Sequence, residues 1–345
     1  MIIFSYIVQH LLAILLVLNN KHKTQTILSY LILILAIIIF IFANDTHDIV
    51  SYTKSISSPN QFEYLFSINL EVLKIFGFEN RNIIYIIQFE IILFLLIFAF
   101  ILSKNNFVVL LAILSVTVFY YLSAFNNLRQ AFSCIFIFFA YYSLTNKKFL
   151  LTFILFCIAQ LFHKSSIFFL IILIMFYFFF DIKNKKINYN IKDFIKFFLI
   201  LIPLNALFLS LYFKLFEFID LPYLGYFMSD RIPHYSRSDQ FTKTLVLLLI
   251  FLITEIIIDI EIKYNQIKFR KKFNELRFFR FISVNLIVIA YIFQLYDLQS
   301  RFLFFYWFLE MLMCLQATTD KKFIYFRAIT IFSYIFAINA MNQII

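Results

Sequence analysis

Long apolar segments separated by short polar clusters run along almost the entire chain. A transmembrane helix needs about 20 mainly apolar residues, each adding about 1.5 Å of rise. Cutting the sequence at its polar clusters leaves about twelve segments that approach this length. They are residues 3–18, 26–43, 82–102, 107–125, 128–144, 149–162, 165–180, 196–213, 243–260, 281–296, 302–318 and 323–342. The sequence therefore predicts an all-α integral membrane protein, with about 12 transmembrane helices in one polytopic domain over residues 1–345.

Composition excludes the main alternatives to a membrane protein. Charged residues make up 14% of the chain, against about 25% in a soluble globular domain. Hydrophobic residues make up 63%, which is far too apolar for a disordered chain. The two glycines argue against a glycine-rich phosphate loop, and the three cysteines form no CxxC or Cys/His cluster. We therefore expect no structural zinc.

Lysine and arginine are distributed unevenly between the two sets of alternate loops. One set carries about twice as many as the other, and the positive-inside rule places that set in the cytoplasm. Both termini are then expected outside, together with two longer loops, residues 44–81 and 214–242. We interpret the basic segment 261–280 as an anchor on anionic lipid rather than a nucleic-acid patch, so no nucleic-acid partner is expected.

The first outer loop carries an amphipathic pattern. Its apolar residues recur at helical spacing: Phe62, Leu65, Phe66, Leu70, Leu73 and Phe76. Glu63, Ser67, Glu71 and Lys74 take the opposite face. The pattern predicts a helix that lies on the outer membrane interface.

Polar residues at the outer membrane edge are the candidates for function, because ionisable groups are costly at membrane depth. Asp45, Asp48 and Tyr52 would share one face of a helix; equally, Asp45 could be a helix N-cap with Asp48 at the third helical position. A second group, Asn126, Asn127, Arg129 and Gln130, is rich in hydrogen-bond donors and has no acidic neighbour in sequence.

His163 forms the third candidate group, with Lys164 and the two serines that follow. Arg129 begins one predicted span and His163 ends the next. The two spans rise by roughly 25 and 22 Å, so the two side chains should stand at nearly the same outer level. Two further groups are weaker. One is a tight outward turn from Asp297 to Arg301, whose two ends could simply pair with each other. The other comprises Tyr226, Arg231, His234, Tyr235 and Arg237.

Together these groups favour an anionic ligand. Arginine side chains offer planar donor forks that suit phosphate oxygens, and histidine and carboxylates can move protons. Tyrosines near the interface suit sugar faces and headgroup depth equally. An amphipathic, phosphate-bearing substrate whose tail stays in the bilayer fits this set, and a lipid-linked sugar is one such molecule.

Several of these motifs, in this order and spacing, resemble the EpsG-like branch of the O-antigen polymerase (Wzy) family. The most specific are Asn126-x-Leu128-Arg129-Gln130-Ala131, Asn146-Lys147-Lys148 and Phe162-His163-Lys164-Ser165-Ser166. Supporting ones are Asp45-x-x-Asp48-x-x-x-Tyr52, Glu63-x-Leu65-Phe66 and Ser300-Arg301-Phe302. The likeness covers residues 44 to 301.

The resemblance implies a metal-independent glycosyltransferase with an all-helical, glycosyltransferase-C-like membrane fold. It would join oligosaccharide repeat units carried on undecaprenyl pyrophosphate, at the outer face of a bacterial cytoplasmic membrane, without a nucleotide sugar or another cofactor. The product would be an O-antigen, a capsule or an exopolysaccharide. Its partners would be lipid-linked oligosaccharides and membrane lipid, and a chain-length regulator is a candidate partner.

Roles for individual residues follow from the same resemblance. Arg129 and Arg301 would bind the pyrophosphate and stabilise the charge that develops as it leaves. His163 or Asp48 would accept the proton of the attacking hydroxyl. Asp45, Tyr52 and Glu63 would position sugars. The remaining candidates would bind the substrate: Asn126, Gln130, Arg231 and Tyr235.

Two other functions remain open at this stage. A transporter or flippase of the same lipid-linked sugar would show polar groups within the spans and broken helices. Its candidate residues are Glu90, Glu255 and Glu310. Glu255 is expected nearer the cytoplasmic end, and a buried hydrogen-bonded pair is the structural alternative for Glu90 and Glu310. An O-antigen-type ligase would share the polymerase chemistry and differ only in the acceptor.

Overall fold

The computed structural model describes residues 2–42, 47–56, 62–102, 107–125, 127–163, 166, 237–265, 271–292, 294–318 and 323–340. Across these residues the secondary structure is helical, with no strand, in agreement with the all-α prediction. The chain divides into two compact units. Unit 1 comprises Met1–Lys185 with Asn342–Ile345, and unit 2 comprises Lys186–Met341. The single domain over residues 1–345 stays a prediction.

The described part of unit 1 contains nine helices. They are α1 (Ile2–Leu18), α2 (His22–Phe42), α3 (His47–Ser55), α4 (Tyr64–Ile75), α5 (Asn80–Leu102), α6 (Phe107–Leu114), α7 (Val118–Phe125), α8 (Leu128–Thr145) and α9 (Phe149–Phe162). Helices α8 and α9 form a hairpin, α1 packs on α2, and α4 packs against α9 and α5.

The described part of unit 2 contains four helices. They are α10 (Arg237–Asn265), α11 (Lys271–Ile292), α12 (Tyr296–Thr318) and α13 (Ile324–Ala340). Helix α11 packs along α12, and α10 packs against α13 and α11. The Glu261 carboxylate, near the end of α10, accepts hydrogen bonds from the backbone N–H groups of Tyr325 (2.7 Å) and Phe326 (3.2 Å). It thereby caps the first turn of α13, whose N–H groups have no partner within the helix.

Three described helices are long and apolar enough to cross a membrane, over His22–Phe42, Asn80–Ile97 and Leu298–Ala317. Four shorter apolar helices cover Ile3–Leu18, Leu128–Leu144, Phe149–Phe162 and Ile324–Ile338. The predicted spans 165–180 and 196–213 lie outside the described residues, except for Ser166, as does most of the second outer loop. The total of about 12 spans therefore stays a prediction.

One predicted span, residues 107–125, is wrong as a single helix. It is broken at residues 115–117 into α6 and α7. Hydroxyl groups bond two carbonyls at the break: Ser115 Oγ donates to the Ala112 carbonyl and Thr117 Oγ1 to the Leu114 carbonyl, each at 2.8 Å. The Val116 carbonyl lies 3.0 Å from His10 Nε2 on α1. Side chains thus compensate the broken backbone, as membrane depth requires.

The turn between α8 and α9 consists of Asn146, Lys147 and Lys148, one of the motifs of the family resemblance. The Lys147 N–H donates to the Leu144 carbonyl (2.9 Å) and the Lys148 N–H to the Ser143 carbonyl (3.0 Å). This is a Schellman motif, with Lys147 at φ 59° in the position that usually holds glycine. The turn reverses the chain sharply and sets α9 antiparallel to α8.

The predicted amphipathic helix exists as α4, but its apolar face is not free for lipid. Phe66, Leu70 and Leu73 are buried inside unit 1, where α4 packs against α9 and α5. Phe76, predicted on the same face, is instead exposed. The pattern predicted the helix correctly, but an apolar stripe does not specify whether lipid or protein covers it.

The segment 261–280 is not simply a lipid anchor. Helix α11 begins at Lys271, ten residues before the predicted span, and Arg277 and Arg280 are fully buried within unit 2. The predicted outward turn from Asp297 to Arg301 is also wrong, because these residues form the first turns of α12. The side chain of Asp297 lies outside the described part, so its suggested pairing with Arg301 stays a prediction.

Candidate functional site

Arg129 lies at the centre of a polar cluster in unit 1, in the first turn of α8. Its guanidinium forms an ion pair through Nη1 with Glu63 Oε2. Its Nε donates to the Tyr52 hydroxyl at 3.3 Å. Tyr52 belongs to α3 and Glu63 directly precedes α4, so the cluster joins the start of α8 to two segments that are 66 and 77 residues earlier in the chain.

Aromatic rings enclose the guanidinium. Its Cζ lies 5.1 Å from the centre of the Phe62 ring and 5.6 Å from that of Tyr52. Phe66 packs against both rings, at centroid distances of 5.4 and 5.9 Å. Such cation–π contacts strengthen as water is removed, and Arg129 is only 19% exposed. The rings and the two polar partners therefore hold the guanidinium plane in one orientation.

Glu63 reaches Arg129 because of its place at the start of α4. It is the N-cap residue of that helix, with extended backbone dihedrals (φ −64°, ψ 150°), yet its side chain makes no capping hydrogen bond. The carboxylate is directed to the guanidinium instead. Glu63 is 8% exposed, and a buried carboxylate needs such a partner.

Part of the Arg129 donor set is still available. A guanidinium carries five N–H donors, and the contacts with Glu63 and Tyr52 use two of them. Within the described residues, the other three N–H groups have no hydrogen-bond partner. An anion with several oxygens could bind there without displacing either contact.

His163 lies near the same end of the α8–α9 hairpin. The preceding residue, Phe162, stacks on Phe132 and Phe136 of α8, with centroids 4.9 and 5.4 Å apart. Phe132 is three residues after Arg129, which corresponds to a rise of about 4.5 Å. The end of α9 therefore lies beside the part of α8 that is roughly one to two helical turns after Arg129. His163 itself is buried, and its carbonyl accepts a hydrogen bond from Ser166 Oγ at 2.7 Å.

The other predicted site residues fall into three classes. Gln130 is buried in α8, next to Arg129 in sequence, and Arg301 is half-buried in α12 of unit 2. Asp48 lies in the first turn of α3, but its side chain is outside the described part. Four candidates lie wholly outside the described residues: Asp45, Asn126, Arg231 and Tyr235.

Arg129, Tyr52 and Glu63 are predicted site residues, but the sequence does not predict that the rings of Phe62 and Phe66 lie next to them. The available signal was local: Phe62 precedes Glu63, and Phe66 follows it at helical spacing. Both phenylalanines had been assigned to a lipid-facing stripe.

The carboxylates considered for transport each have a protein partner. Glu90 accepts a hydrogen bond from Asn69 Nδ2 at 2.7 Å. Glu255 and Glu310 form ion pairs with buried arginines of α11. Within the described part, no group of three or more His, Cys, Asp or Glu side chains could hold a metal ion.

Apolar helices of membrane-spanning length and a buried polar cluster at the start of one apolar helix define a polytopic membrane protein. The chain belongs to the EpsG family, whose model matches residues 47–344. This confirms the resemblance found in the sequence. The family consists of polysaccharide polymerase-like membrane proteins, which makes this chain a membrane protein of polysaccharide biosynthesis. No curated protein and no solved structure matches the chain.

Proposed function

We propose that the protein is a polymerase of lipid-linked oligosaccharides. It joins repeat units carried on undecaprenyl pyrophosphate, at the outer face of the bacterial cytoplasmic membrane, to make an O-antigen, a capsule or an exopolysaccharide. The observation that carries this proposal is the Arg129 guanidinium, which Tyr52, Glu63 and Phe62 hold and which keeps three N–H donors without a partner among the described residues. Membership of the EpsG family supports the substrate class.

Arg129 would bind the pyrophosphate of the donor molecule. The lipid tail of that donor stays in the bilayer, so its pyrophosphate arrives at the membrane edge, where a basic side chain at the start of an apolar helix can meet it. Negative charge grows on the pyrophosphate as the bond to the sugar breaks. Fixed donors aimed at that charge lower the barrier without reorganising, and the Glu63 and Tyr52 contacts supply that fixation.

The transfer step moves one glycosyl group. A hydroxyl oxygen of the acceptor sugar bonds to the anomeric carbon of the donor chain, and the bond from that carbon to the pyrophosphate oxygen breaks. The hydroxyl proton passes to a base, for which His163 is the first candidate and Asp48 the second. Undecaprenyl pyrophosphate leaves with the bonding electron pair, so neither a metal nor an oxidant is needed for balance.

The remaining assignments concern substrate recognition. Arg301 is proposed as a second phosphate ligand. Asp45 is proposed to position sugars, and Asn126, Gln130, Arg231 and Tyr235 are proposed to bind the substrate. Tyr52 and Glu63, which the sequence assigned to sugars, act in this proposal by holding Arg129. A chain-length regulator is a proposed partner.

One observation favours the alternative of a transporter. The helix broken at residues 115–117 is a feature of transporter sites. However, the polar side chains at this break bond protein groups: Ser115 Oγ and Thr117 Oγ1 each donate to a backbone carbonyl. The break therefore supports transport less strongly than the Arg129 cluster supports transfer.

The polymerase proposal is tested in cells that lack the gene and are complemented with wild type or with His163→Ala. Without the gene, the lipid-linked single unit should accumulate and polymer should be absent. Wild type should restore polymer, while His163→Ala should lower its rate of formation by roughly a hundredfold or more, which is typical for loss of a general base. The readouts are polymer length on a gel, extracted lipid-linked units and the amount of protein in the membrane.

His22→Ala is the matched control, because His22 is exposed at the start of α2 and should leave polymer unchanged. Polymer in cells without the gene would contradict the polymerase, and a product transferred to an acceptor other than a repeat unit would indicate a ligase. Normal polymer from His163→Ala together with none from Asp48→Asn would reverse the choice of base.

Orientation has its own test in single cysteines at two exposed positions of unit 1. Glu79 lies in the predicted outer loop, and Lys148 in the predicted cytoplasmic turn between α8 and α9. In a background without Cys134, Cys157 and Cys314, an impermeant maleimide should label Glu79→Cys but not Lys148→Cys in intact cells or spheroplasts. The reverse labelling would place the Arg129 cluster on the cytoplasmic side.

A further inference from the structure

Three helix ends of unit 2 form a rim that contains Arg301. They are the start of α10, the end of α11 and the start of α12. Gln299 Nε2, on α12, donates to Thr244 Oγ1 of α10 and lies 3.4 Å from the Gln240 carbonyl. By the sequence-predicted orientation this rim faces outward, the side on which the proposed transfer occurs.

The rim holds buried amide groups that lack hydrogen-bond partners. Gln240 is 1% exposed, and among the described residues neither its Nε2 nor its Oε1 has a hydrogen-bond partner. Gln299 is fully buried, and its Oε1 likewise has no partner in the part of the chain that the structure describes. Leaving a buried polar atom unpaired costs a folded protein free energy, and native structures contain few such atoms. Three such atoms at one helix rim therefore require an explanation.

Aromatic rings stand beside these amides. Phe241 follows Gln240 on α10 and is 51% exposed. Its ring lies 6.1 Å from that of Tyr291 on α11, which in turn lies 6.4 Å from Tyr296 on α12. The three rings lie on the ends of α10, α11 and α12, and the two amides lie on the first and last of these helices. Flat aromatic faces next to amides that both donate and accept match a sugar, which has apolar faces and hydroxyl edges.

We propose that Gln240, Gln299 and the Phe241–Tyr291–Tyr296 rings form a sugar-binding subsite for the neutral part of the lipid-linked repeat unit. The inference rests on the proposed polymerase function. The unpaired Gln240 amide donates through Nε2 and accepts through Oε1, as two neighbouring sugar hydroxyls require. A phosphate would suit this amide less well, because the amide oxygen can only accept hydrogen bonds and an ionised phosphate has none to donate. The charged part of the substrate is left to Arg301, two residues after Gln299.

Gln240→Leu is the central variant, because leucine has a similar volume and no polar atom. Removing an unpaired buried amide should raise the melting temperature of the substrate-free protein. The wild-type protein loses free energy by burying this amide without a hydrogen bond, and leucine carries no such cost. The same change should weaken sugar binding and raise the KM for the lipid-linked unit on the order of tenfold, the effect of losing one or two hydrogen bonds. Stability and activity should thus move in opposite directions, as for residues kept for function.

The measurements use purified protein in nanodiscs. The probes are the lipid-linked unit extracted from cells lacking the gene and the oligosaccharide released from it by mild acid.

Phe241→Leu is a second variant that should fold, because this ring is exposed. It should weaken oligosaccharide binding by loss of stacking. The matched control is Gln9→Leu in unit 1. Gln9 is an equally buried amide, but it bonds Ser115 and Tyr121, so its loss should lower the melting temperature.

The outcomes separate the subsite from the polymerase itself. Failure of the wild-type protein to polymerise would refute the proposed function, while oligosaccharide binding that Gln240→Leu abolishes would still support the subsite. Normal polymerisation with unchanged KM and binding in both Gln240→Leu and Phe241→Leu would overturn the subsite. A fall in the melting temperature of Gln240→Leu would overturn it too, because the amide would then be a structural group.

Discussion

Arg129→Lys is expected to lower polymer synthesis by about a hundredfold, and Arg129→Ala by at least as much. Lysine keeps the charge but loses the planar fork, which binds the Glu63 carboxylate and the Tyr52 hydroxyl at once and leaves donors for phosphate. It also loses most of the flat contact with the Phe62 ring. The measurement is the initial rate of polymer formation in membranes supplied with lipid-linked repeat units, normalised to the amount of the protein.

Arg81→Lys provides a closely matched control. Arg81, on α5, also donates through Nε to a tyrosine hydroxyl, that of Tyr85 at 3.0 Å, and also lies over its ring. It is exposed, however, whereas Arg129 is largely buried and paired with Glu63. Its substitution should leave polymer formation near normal. A rate from Arg129→Lys within about threefold of wild type would remove Arg129 from the phosphate-binding role.

The Arg129 cluster shows how far a sequence can lead toward a site. Arg129, Tyr52 and Glu63 were all predicted as candidates, because each is polar and stands at the edge of an apolar segment. Their mutual contacts could not be predicted, since 66 and 77 residues separate the partners and no local pattern records such a distance. The sequence assigned Arg129 to phosphate and Glu63 to sugar, whereas in the structure the two side chains bond each other.

Hydropathy was a good guide to helices and a poor guide to their interruptions. Residues 107–125 are almost uniformly apolar, so nothing in their composition predicts the break at residues 115–117. The break depends on hydroxyls of the chain itself and on His10, about a hundred residues earlier. Neither glycine nor proline, the usual signals of a broken membrane helix, is present there.

Two arginines that the sequence places in a loop are buried inside a helix. Arg277 and Arg280 were assigned to a cytoplasmic loop, because a basic cluster normally ends a span. In unit 2 they lie inside α11 and alternate with carboxylates from the neighbouring helices. Arg277 pairs with Glu255 and Asp259, each at 2.6 Å. Arg280 pairs with Glu255 and Glu310, each at 2.7 Å.

Arg280→Gln is expected to destabilise the protein by about 3–5 kcal/mol, the usual effect of removing one partner from a buried ion pair. It would remove the only described ion-pair partner of the buried Glu310 and one of the two described partners of Glu255. It would also remove the bond from Arg280 Nη2 to Thr254 Oγ1 (2.8 Å) and the contact with the Phe251 ring. The measurement is thermal unfolding in nanodiscs, where we expect a fall in melting temperature on the order of 10 °C.

Glu310→Gln is the discriminating comparison, because it removes the negative charge of the Arg280–Glu310 ion pair, whereas Arg280→Gln removes the positive charge. Arg280 would keep its ion pair with Glu255, and the amide oxygen could still accept from Arg280. The expected loss is therefore only about 1 kcal/mol, near that of one weakened hydrogen bond. Equal losses from the two variants would show that the ion pair matters through its geometry alone. A larger loss from Glu310→Gln than from Arg280→Gln would contradict the view that the arginines of α11 stabilise unit 2 by neutralising the buried carboxylates of Glu255 and Glu310.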